Sequence, residues 1–216
     1  MDLHTGLISV GLEEDNVKSV AEKMDAYIKE IILFNSAYNL TNTSDYDELV
    51  IRHILDSLAT YKIFEELVNN KENPIKIVGD IGSGGGLPGI PLATVFPEVQ
   101  FKLVERMEKR CAFLENCAAI LGLKNVEVVC SQAENISEDK FDLITFRAFR
   151  PLDKKMTKTL LRIVRKEGFL CAYKAKIDNI SEEMEAIKSL IPEYKVLPLI
   201  VPGLEQNQRN LVLIQK

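Results

Sequence analysis

The 216-residue sequence predicts an α/β protein: a seven-stranded, mostly parallel sheet with an antiparallel edge strand, preceded by an N-terminal helical extension. Three observations lead there. From Ile75 onward short apolar runs alternate with helix-like stretches, the pattern of strands joined by crossover helices. The glycine-rich stretch from Gly79 to Pro91, G-D-I-G-S-G-G-G-L-P-G-I-P, follows the first of those runs, where an open parallel sheet binds its ligand. Before residue 74 the apolar residues repeat only at helical spacing. The chain therefore divides into a helical extension, 1–73, and a sheet domain, 74–216.

Each element has its own signal. Val17, Val20, Met24, Tyr27, Ile28 and Ile31 follow the three-and-four spacing of an amphipathic helix, with Asp15 as its cap. A second helix is expected after Ser44, where Ser44 and Asp47 resemble a capping box and Leu49, Ile54, Leu55, Leu58 and Leu67 form the apolar stripe. Asn73-Pro74 stops it. Strands are expected at 75–79, 101–105, 126–130, 141–146, 169–173, 194–199 and 211–214, and helices at about 88–95, 107–121, 153–166 and 180–190. Gly122 and Gly168 end the two clearest helices, and Pro88 belongs to the first turn of the one after the glycine stretch. Only a loop containing Val201-Pro202-Gly203-Leu204 joins the last two strands, so they pair as an antiparallel edge.

Composition narrows the functional classes. With 46% hydrophobic and 27% charged residues, the chain can build one sizeable core. Met1-Asp2-Leu3-His4 carries no basic, apolar leader and no apolar run approaches the roughly 20 residues of a membrane span, so a cytoplasmic protein without a membrane partner is expected. Cys111, Cys117, Cys130 and Cys171 show no C-x-x-C spacing and read as buried structural thiols. With His4 and His53 as its only histidines, the chain offers little for metal ligation. The net charge of -5 argues against nonspecific nucleic-acid binding. Yet residues 140–176 hold eleven Lys or Arg, Arg150 among them, against Asp142, Asp153 and Glu167, and that asymmetry suggests a polyanionic partner. Its alternative is a solvated helix face, since Lys155, Lys158, Arg162 and Arg165 recur at helical spacing opposite Met156, Leu160, Ile163 and Val164.

The glycine stretch implies a nucleotide. Gly84, Gly86 and Gly89 match the dinucleotide fingerprint G-x-G-x-x-G, which leaves NAD open, whereas no phosphate-cradling G-x-x-x-x-G-K-[ST] is present. Asp80 favours a cationic ligand over a pyrophosphate, because phosphate wants helix N–H groups and positive potential; otherwise it is a loop carboxylate accepting backbone N–H bonds. Glu105, at the end of the second strand, is placed to accept from ribose hydroxyls. Ser131-Gln132-Ala133-Glu134 follows the third strand, where a loop closes over an adenine.

Asn39-Leu40-Thr41, Arg52-His53-Ile54-Leu55-Asp56-Ser57, Asp80 to Pro91, Lys109-Arg110, Arg147-Ala148, Tyr173-Lys174 and Arg209-Asn210-Leu211-Val212 cover almost the whole chain in order. By these stretches the sequence resembles the glucose-inhibited division protein B family, bacterial methyltransferases acting on N7 of a guanine in 16S ribosomal RNA. Phe146 and Ala175 depart from the Ser and Gly usual there. The resemblance implies a class I methyltransferase (Rossmann-like) sheet, S-adenosyl-L-methionine as cofactor, and contacts to it from Gly82, Leu87, Ala133, Glu134 and Arg147, beside Asp80, Gly84, Gly86 and Glu105. Guanine N7 has no proton to lose, so no general base is expected and Arg147 is the candidate for shaping the catalytic site. Arg52, His53, Lys174 and Arg209 are the candidate contacts to RNA, on the 16S RNA or the small ribosomal subunit, by a monomer. An NAD-dependent oxidoreductase and a non-catalytic nucleoside- or RNA-binding module are the alternatives.

Overall fold

A computed structural model describes residues 1–147 and 152–216; Ala148 of the family resemblance and Arg150 of the basic segment lie outside the described residues. The strands are β1 (Ile77–Ile81), β2 (Gln100–Glu105), β3 (Val126–Cys130), β4 (Phe141–Arg147), β5 (Val164–Lys174), β6 (Lys195–Pro198) and β7 (Asn210–Gln215). They form one sheet in the order β3-β2-β1-β4-β5-β7-β6. The first five pair in parallel, and β7 runs antiparallel between β5 and β6. The strand order reverses at β1, which pairs with β2 on one side and β4 on the other. The turn leaving β1 is therefore the switch point at which such sheets bind ligands.

Alternation along the strands feeds two cores. In β5, Phe169, Cys171 and Tyr173 pack into one core and Leu170 and Ala172 into the other. The second core takes Met156, Leu160 and Ile163 of α8 (Lys154–Ile163) and Ile180, Met184 and Ile187 of α9 (Ile177–Ile187). The first is larger. It joins α6 (Gly89–Val95) and α7 (Glu108–Ile120) to the whole N-terminal region, including Leu3 and Leu7 of α1 (Leu3–Ser9) and Tyr27, Ile28 and Ile31 of α2 (Glu14–Asn35). The helical extension thus shares one continuous core with the sheet.

Several expected boundaries shift, each for a local reason. Asp15 lies in the first turn of α2 and Glu13 holds the cap position. The next helix is capped by Asp45, whose carboxylate accepts from Glu48 N at 2.9 Å, because the Ser44 hydroxyl is engaged by the Asn35 side chain. That helix is not continuous. It runs as α3 (Tyr46–Leu49), a π-helical segment (Val50–Leu55), α4 (Asp56–Leu58) and, after a break, α5 (Tyr61–Val68). Phe64 is fully buried there, whereas Leu67 is only partly so. Strand β1 starts at Ile77 because the amides of Lys76 and Ile77 donate to Asp142 Oδ2. Pro88 sits at the cap position of α6, one residue before its first turn.

Gly168 ends no helix. Helix α8 stops at Ile163, and Gly168 lies within β5 at a register shift, where a Cβ would stand 2.6 Å from the Asp142 carbonyl oxygen. The left-handed turn there is taken by Glu167. Gly122 does have positive φ just after α7. Three cysteines are buried, but Cys130, at the end of an outer strand, is exposed.

Two tyrosines bind the extension to the sheet. The buried Tyr27 hydroxyl of α2 donates to the Gly85 carbonyl in the turn after β1. Tyr173 of β5 donates to Ser57 O at 2.8 Å and lies 2.5 Å from the Thr60 hydroxyl. We expect Tyr27→Phe to leave the Gly85 carbonyl unpartnered at about 1–2 kcal/mol. Thermal unfolding should register a melting temperature lower by about 2–8 °C.

Candidate functional site

A cleft of about 330 Å³ opens at the carboxyl ends of β1, β2 and β3. Ile81 and Gly82 form its floor, Val104, Glu105 and Arg106 one side, and Ser131, Gln132, Ala133 and Glu134 the other, with Arg110 of α7 and Met156 of α8 at its rim. Gly82, Glu105, Ala133 and Glu134 of the expected cofactor residues thus line one cavity. Arg162 of α8 fixes the loop after β3 by donating to the carbonyls of Glu134 and Ile136.

Glu105 is an oriented acceptor. Its side chain is only 5% exposed, Oε1 accepts from the amides of Arg106 and Met107 at 2.8 and 2.9 Å, and Oε2 accepts from Gly84 N at 3.0 Å. These bonds fix the carboxylate while leaving acceptor capacity for hydroxyl donors. Arg110 approaches to 3.9 Å.

Apart from Gly85, the amides of the glycine turn are used internally. Gly82 and Ser83 donate to Val104 O, Gly84 to Glu105, Gly86 and Leu87 to Ser83 O, Gly89 to Asp80 Oδ2 and Ile90 to Gly86 O. A phosphate-binding turn needs such N–H groups pointing at the anion. Here they stabilise the turn itself, and the carboxylate at the cleft wall would repel a pyrophosphate. Leu87 is buried beneath the turn, and Gly86, at φ +88, leaves no room for a Cβ against Ile90 and Leu114. A Cβ on Gly84, at φ +58, would meet only the Gly82 carbonyl oxygen, at an ordinary 3.8 Å.

Asp80 lies under the turn and is 1% exposed. Oδ2 accepts from Gly89 N at 3.1 Å, while the buried Oδ1 has no partner among the described residues. A Cβ on Gly89 would meet that carboxylate at 2.6 Å. Burial pushes the Asp80 carboxyl up to about 7, so near neutral pH it holds its proton easily. A buried, half-satisfied acid at a switch point is a feature that function maintains against stability.

Arg147, at the end of β4, belongs to a second cluster. Its Nη1 donates to Asp56 Oδ2 at 2.7 Å and its Nη2 lies 3.2 Å from His53 Nδ1. Arg209 Nε donates to the other Asp56 oxygen at 2.9 Å. His53, Arg147 and Arg209 are thereby brought together beside a buried carboxylate, and Arg52 joins them through its carbonyl, which accepts from Arg147 Nη1 at 3.3 Å. A guanidinium can only donate, so His53 Nδ1 accepts and Nε2 carries the ring hydrogen. Burial first, and then Arg147, lower the His53 ring to about 4, which keeps it neutral. Arg52 is exposed, with Glu48 3.7 Å away. Lys174 stands apart, paired with Glu183 at 2.6 Å.

The basic segment is not one surface. Arg162 is spent on backbone carbonyls and Arg165 on Asp142, leaving exposed Lys154, Lys155 and Lys158 on α8 and Lys176 beyond β5, with Lys140 and Lys166 at the opposite, amino-terminal ends of β4 and β5. Phe146 is buried in the second core, and the Ala175 carbonyl accepts from Asn210. Asp56, Tyr27, Arg110 and Met156 are site neighbours that single-residue reasoning did not select; Asp56 and Arg110 do lie in the matched stretches Arg52–Ser57 and Lys109–Arg110. Among the described residues no three His, Cys, Asp or Glu side chains group as a metal site.

The family model GidB, described as rRNA small subunit methyltransferase G, matches residues 20–212. The ribosomal RNA small subunit methyltransferase G of Treponema denticola is 37% identical over 98% of this chain and 92% of its own length. That of Neisseria meningitidis serogroup B is 32% identical over 99% of this chain and 97% of its own. Solved structures share the fold at lower identity. A SAM-dependent methyltransferase from Aquifex aeolicus superposes with a TM-score of 0.56 at 17% identity, covering 79% of this chain and 94% of that one. The tRNA (m1A58) methyltransferase TrmI of the same organism gives 0.57 at 16% identity over 75% and 68% of the two chains. The sheet is thus that of the class I methyltransferases.

The two shifted groups set opposite pH trends. Asp80, raised from 3.8 to about 7, is favoured protonated by the fold, so its contribution is complete below 3.8 and fades as pH rises through 7. His53, lowered from 6.5 to about 4, withdraws stability as pH falls through that window. We expect Asp80→Asn, which keeps an acceptor for Gly89 but cannot ionise, to abolish the first trend. Melting curves at pH 5 and pH 8 should diverge between wild type and variant by several degrees, with the variant ahead at pH 8.

Proposed function

The chain belongs to the rRNA small subunit methyltransferase G family, and from that premise we propose that it transfers a methyl group from S-adenosyl-L-methionine to N7 of a guanine in 16S ribosomal RNA. What carries the reading is the cleft: a fixed carboxylate acceptor, Glu105, faces a turn whose amides, Gly85 excepted, already have acceptors within the fold. That donor-poor, acceptor-bearing site fits a nucleoside with a free ribose diol and no phosphate. It does not fit a dinucleotide, so the oxidoreductase reading loses its support.

S-adenosylmethionine supplies, when bound, a methyl group on a positively charged sulfur. Glu105 would hold its ribose, Gly82 would let it lie close to the backbone, and Ala133 and Glu134 would flank its base. Asp80, with one unpartnered oxygen, offers a polar contact beneath the turn and adds negative potential only once it gives up its proton, as pH rises through about 7. Gly84, Gly86 and Leu87 shape the turn from below. Guanine N7 presents an in-plane lone pair and no proton, so these side chains have to orient rather than deprotonate. Arg147, charge-balanced by Asp56, borders the place where base and cleft meet.

Arg52, His53 and Arg209 then face the RNA, with the lysines of α8 and Lys174 near its phosphates. The helical extension, 1–73, works as part of the catalytic unit, through Tyr27 and Asp56. No helix among the described residues is long and apolar enough to cross a membrane. A monomer acting in the cytoplasm on small-subunit RNA is the state this reading proposes.

Calorimetry should give heat with S-adenosylmethionine and none with NAD; the reverse result would falsify the assignment. Gly82→Val and Asp80→Ala are expected to weaken cofactor binding at least tenfold. Arg52→Ala should leave it intact and lower labelled-methyl transfer to small-subunit RNA about tenfold. RNA affinity should fall with salt by about 0.7 in logarithmic slope per phosphate contact.

A further inference from the structure

Resting on the guanine-N7 reading, we propose that His53 is the specificity-determining residue: its Nε2–H donates a hydrogen bond to guanine O6, orienting N7 and rejecting adenine. The argument begins with the ring's fixed tautomer. Arg147 donates to Nδ1 at 3.2 Å, so Nε2 bears the hydrogen, and among the described residues Nε2 has no partner. The ring is partly exposed on the π-helical segment, against Arg147 at the end of β4, the strand paired with β1, whose own end lines the cleft. Thr145 of β4 is paired with Asp80 of β1, so Arg147, two residues on, ends its strand alongside Gly82, which places the His53–Arg147 pair on the glycine-turn side of the sheet.

Base chemistry supplies the second half. Guanine shows two acceptors, N7 and O6, on the edge that must be presented, whereas adenine shows an acceptor and an amino donor. A fixed donor therefore suits guanine and opposes adenine. It also has to be neutral. Methylation at N7 leaves positive charge on the purine, which a protonated imidazole at O6 would oppose. Asp56 serves that end, since it pairs with both Arg147 and Arg209 and lowers the net charge of the pair from two to one. A donor built for one substrate group discriminates strongly against an analogue lacking it.

The test uses full-length protein and ligated small-subunit RNA carrying guanosine or 2-aminopurine riboside, which lacks O6, at the mapped methylation position. We expect wild type to lose at least tenfold in kcat/KM on 2-aminopurine. His53→Ala should lose a similar factor on guanosine and show no further loss on the analogue, while His53→Gln, which retains a donor, keeps part of the discrimination. S-adenosylmethionine affinity and melting temperature of each variant report folding. Equal loss on both substrates by the variants, leaving wild-type discrimination in place, overturns the role of His53 alone. Absence of methyl transfer by wild type to the guanosine RNA overturns the parent reading as well.

Discussion

The turn leaving β1 has to satisfy its own backbone, and most of the site follows from how it does so. Nine residues from Gly82 to Ile90 reverse direction at the edge of a cleft with almost no side chains to help. Their amides go to Val104, Glu105, Ser83, Asp80 and Gly86, and one carbonyl goes to Tyr27 on a helix 58 residues earlier. A buried backbone group left without a partner costs about 1–3 kcal/mol. Glu105 therefore stabilises the turn and faces the ligand with the same carboxylate. The N-terminal helices, through Tyr27 and through Leu40, which lies against Gly85, form part of the cleft's foundation.

A comparable economy governs the second cluster. Asp56 is the shared acceptor of two guanidiniums whose own elements, β4 and the approach to β7, lie on either side of β5 in the sheet. Two buried cations facing each other are unfavourable unless an anion stands between them. The carboxylate comes from the extension, so the extension and both halves of the sheet meet at one residue. Beside it the ring of His53 stays uncharged, held so by burial and by Arg147.

The sheet was legible because its strands are short, apolar and punctuated. The strand from Val126 to Cys130 matches the expectation at both ends, and most other limits agree within a few residues. Local competition decided the misses. Ser44 and Asp45 both qualify as caps, and only the Asn35 side chain, contacting Ser44 from nine positions earlier, determines which one serves. Gly168 reads as a helix end until the Asp142 carbonyl behind it comes into view. Strand-end positions pointed to Glu105 and the loop after β3, the family resemblance to Gly82, Ala133 and Glu134, and all of them line one cleft. Asp56 was not singled out in this way, because its partners lie 91 and 153 residues further along the chain and no local pattern records them. The inward use of the turn's amides was likewise invisible, since the glycines that permit it are the same ones a phosphate site would use.

The π-helical segment from Val50 to Leu55 carries a consequence of a different kind. Its widened ring, closed by the Asp56 amide on the Ile51 carbonyl, holds one residue more than an α-turn would. Deleting a single position there would let the segment relax into a regular helix and rotate everything before it by about 100° about the axis. Arg52 and His53 would swing away from Arg147, although no side chain had been exchanged. Chain length across this stretch is thus under a stricter constraint than side-chain chemistry: a conservative replacement can be absorbed, whereas an in-frame codon loss would misalign the whole cluster.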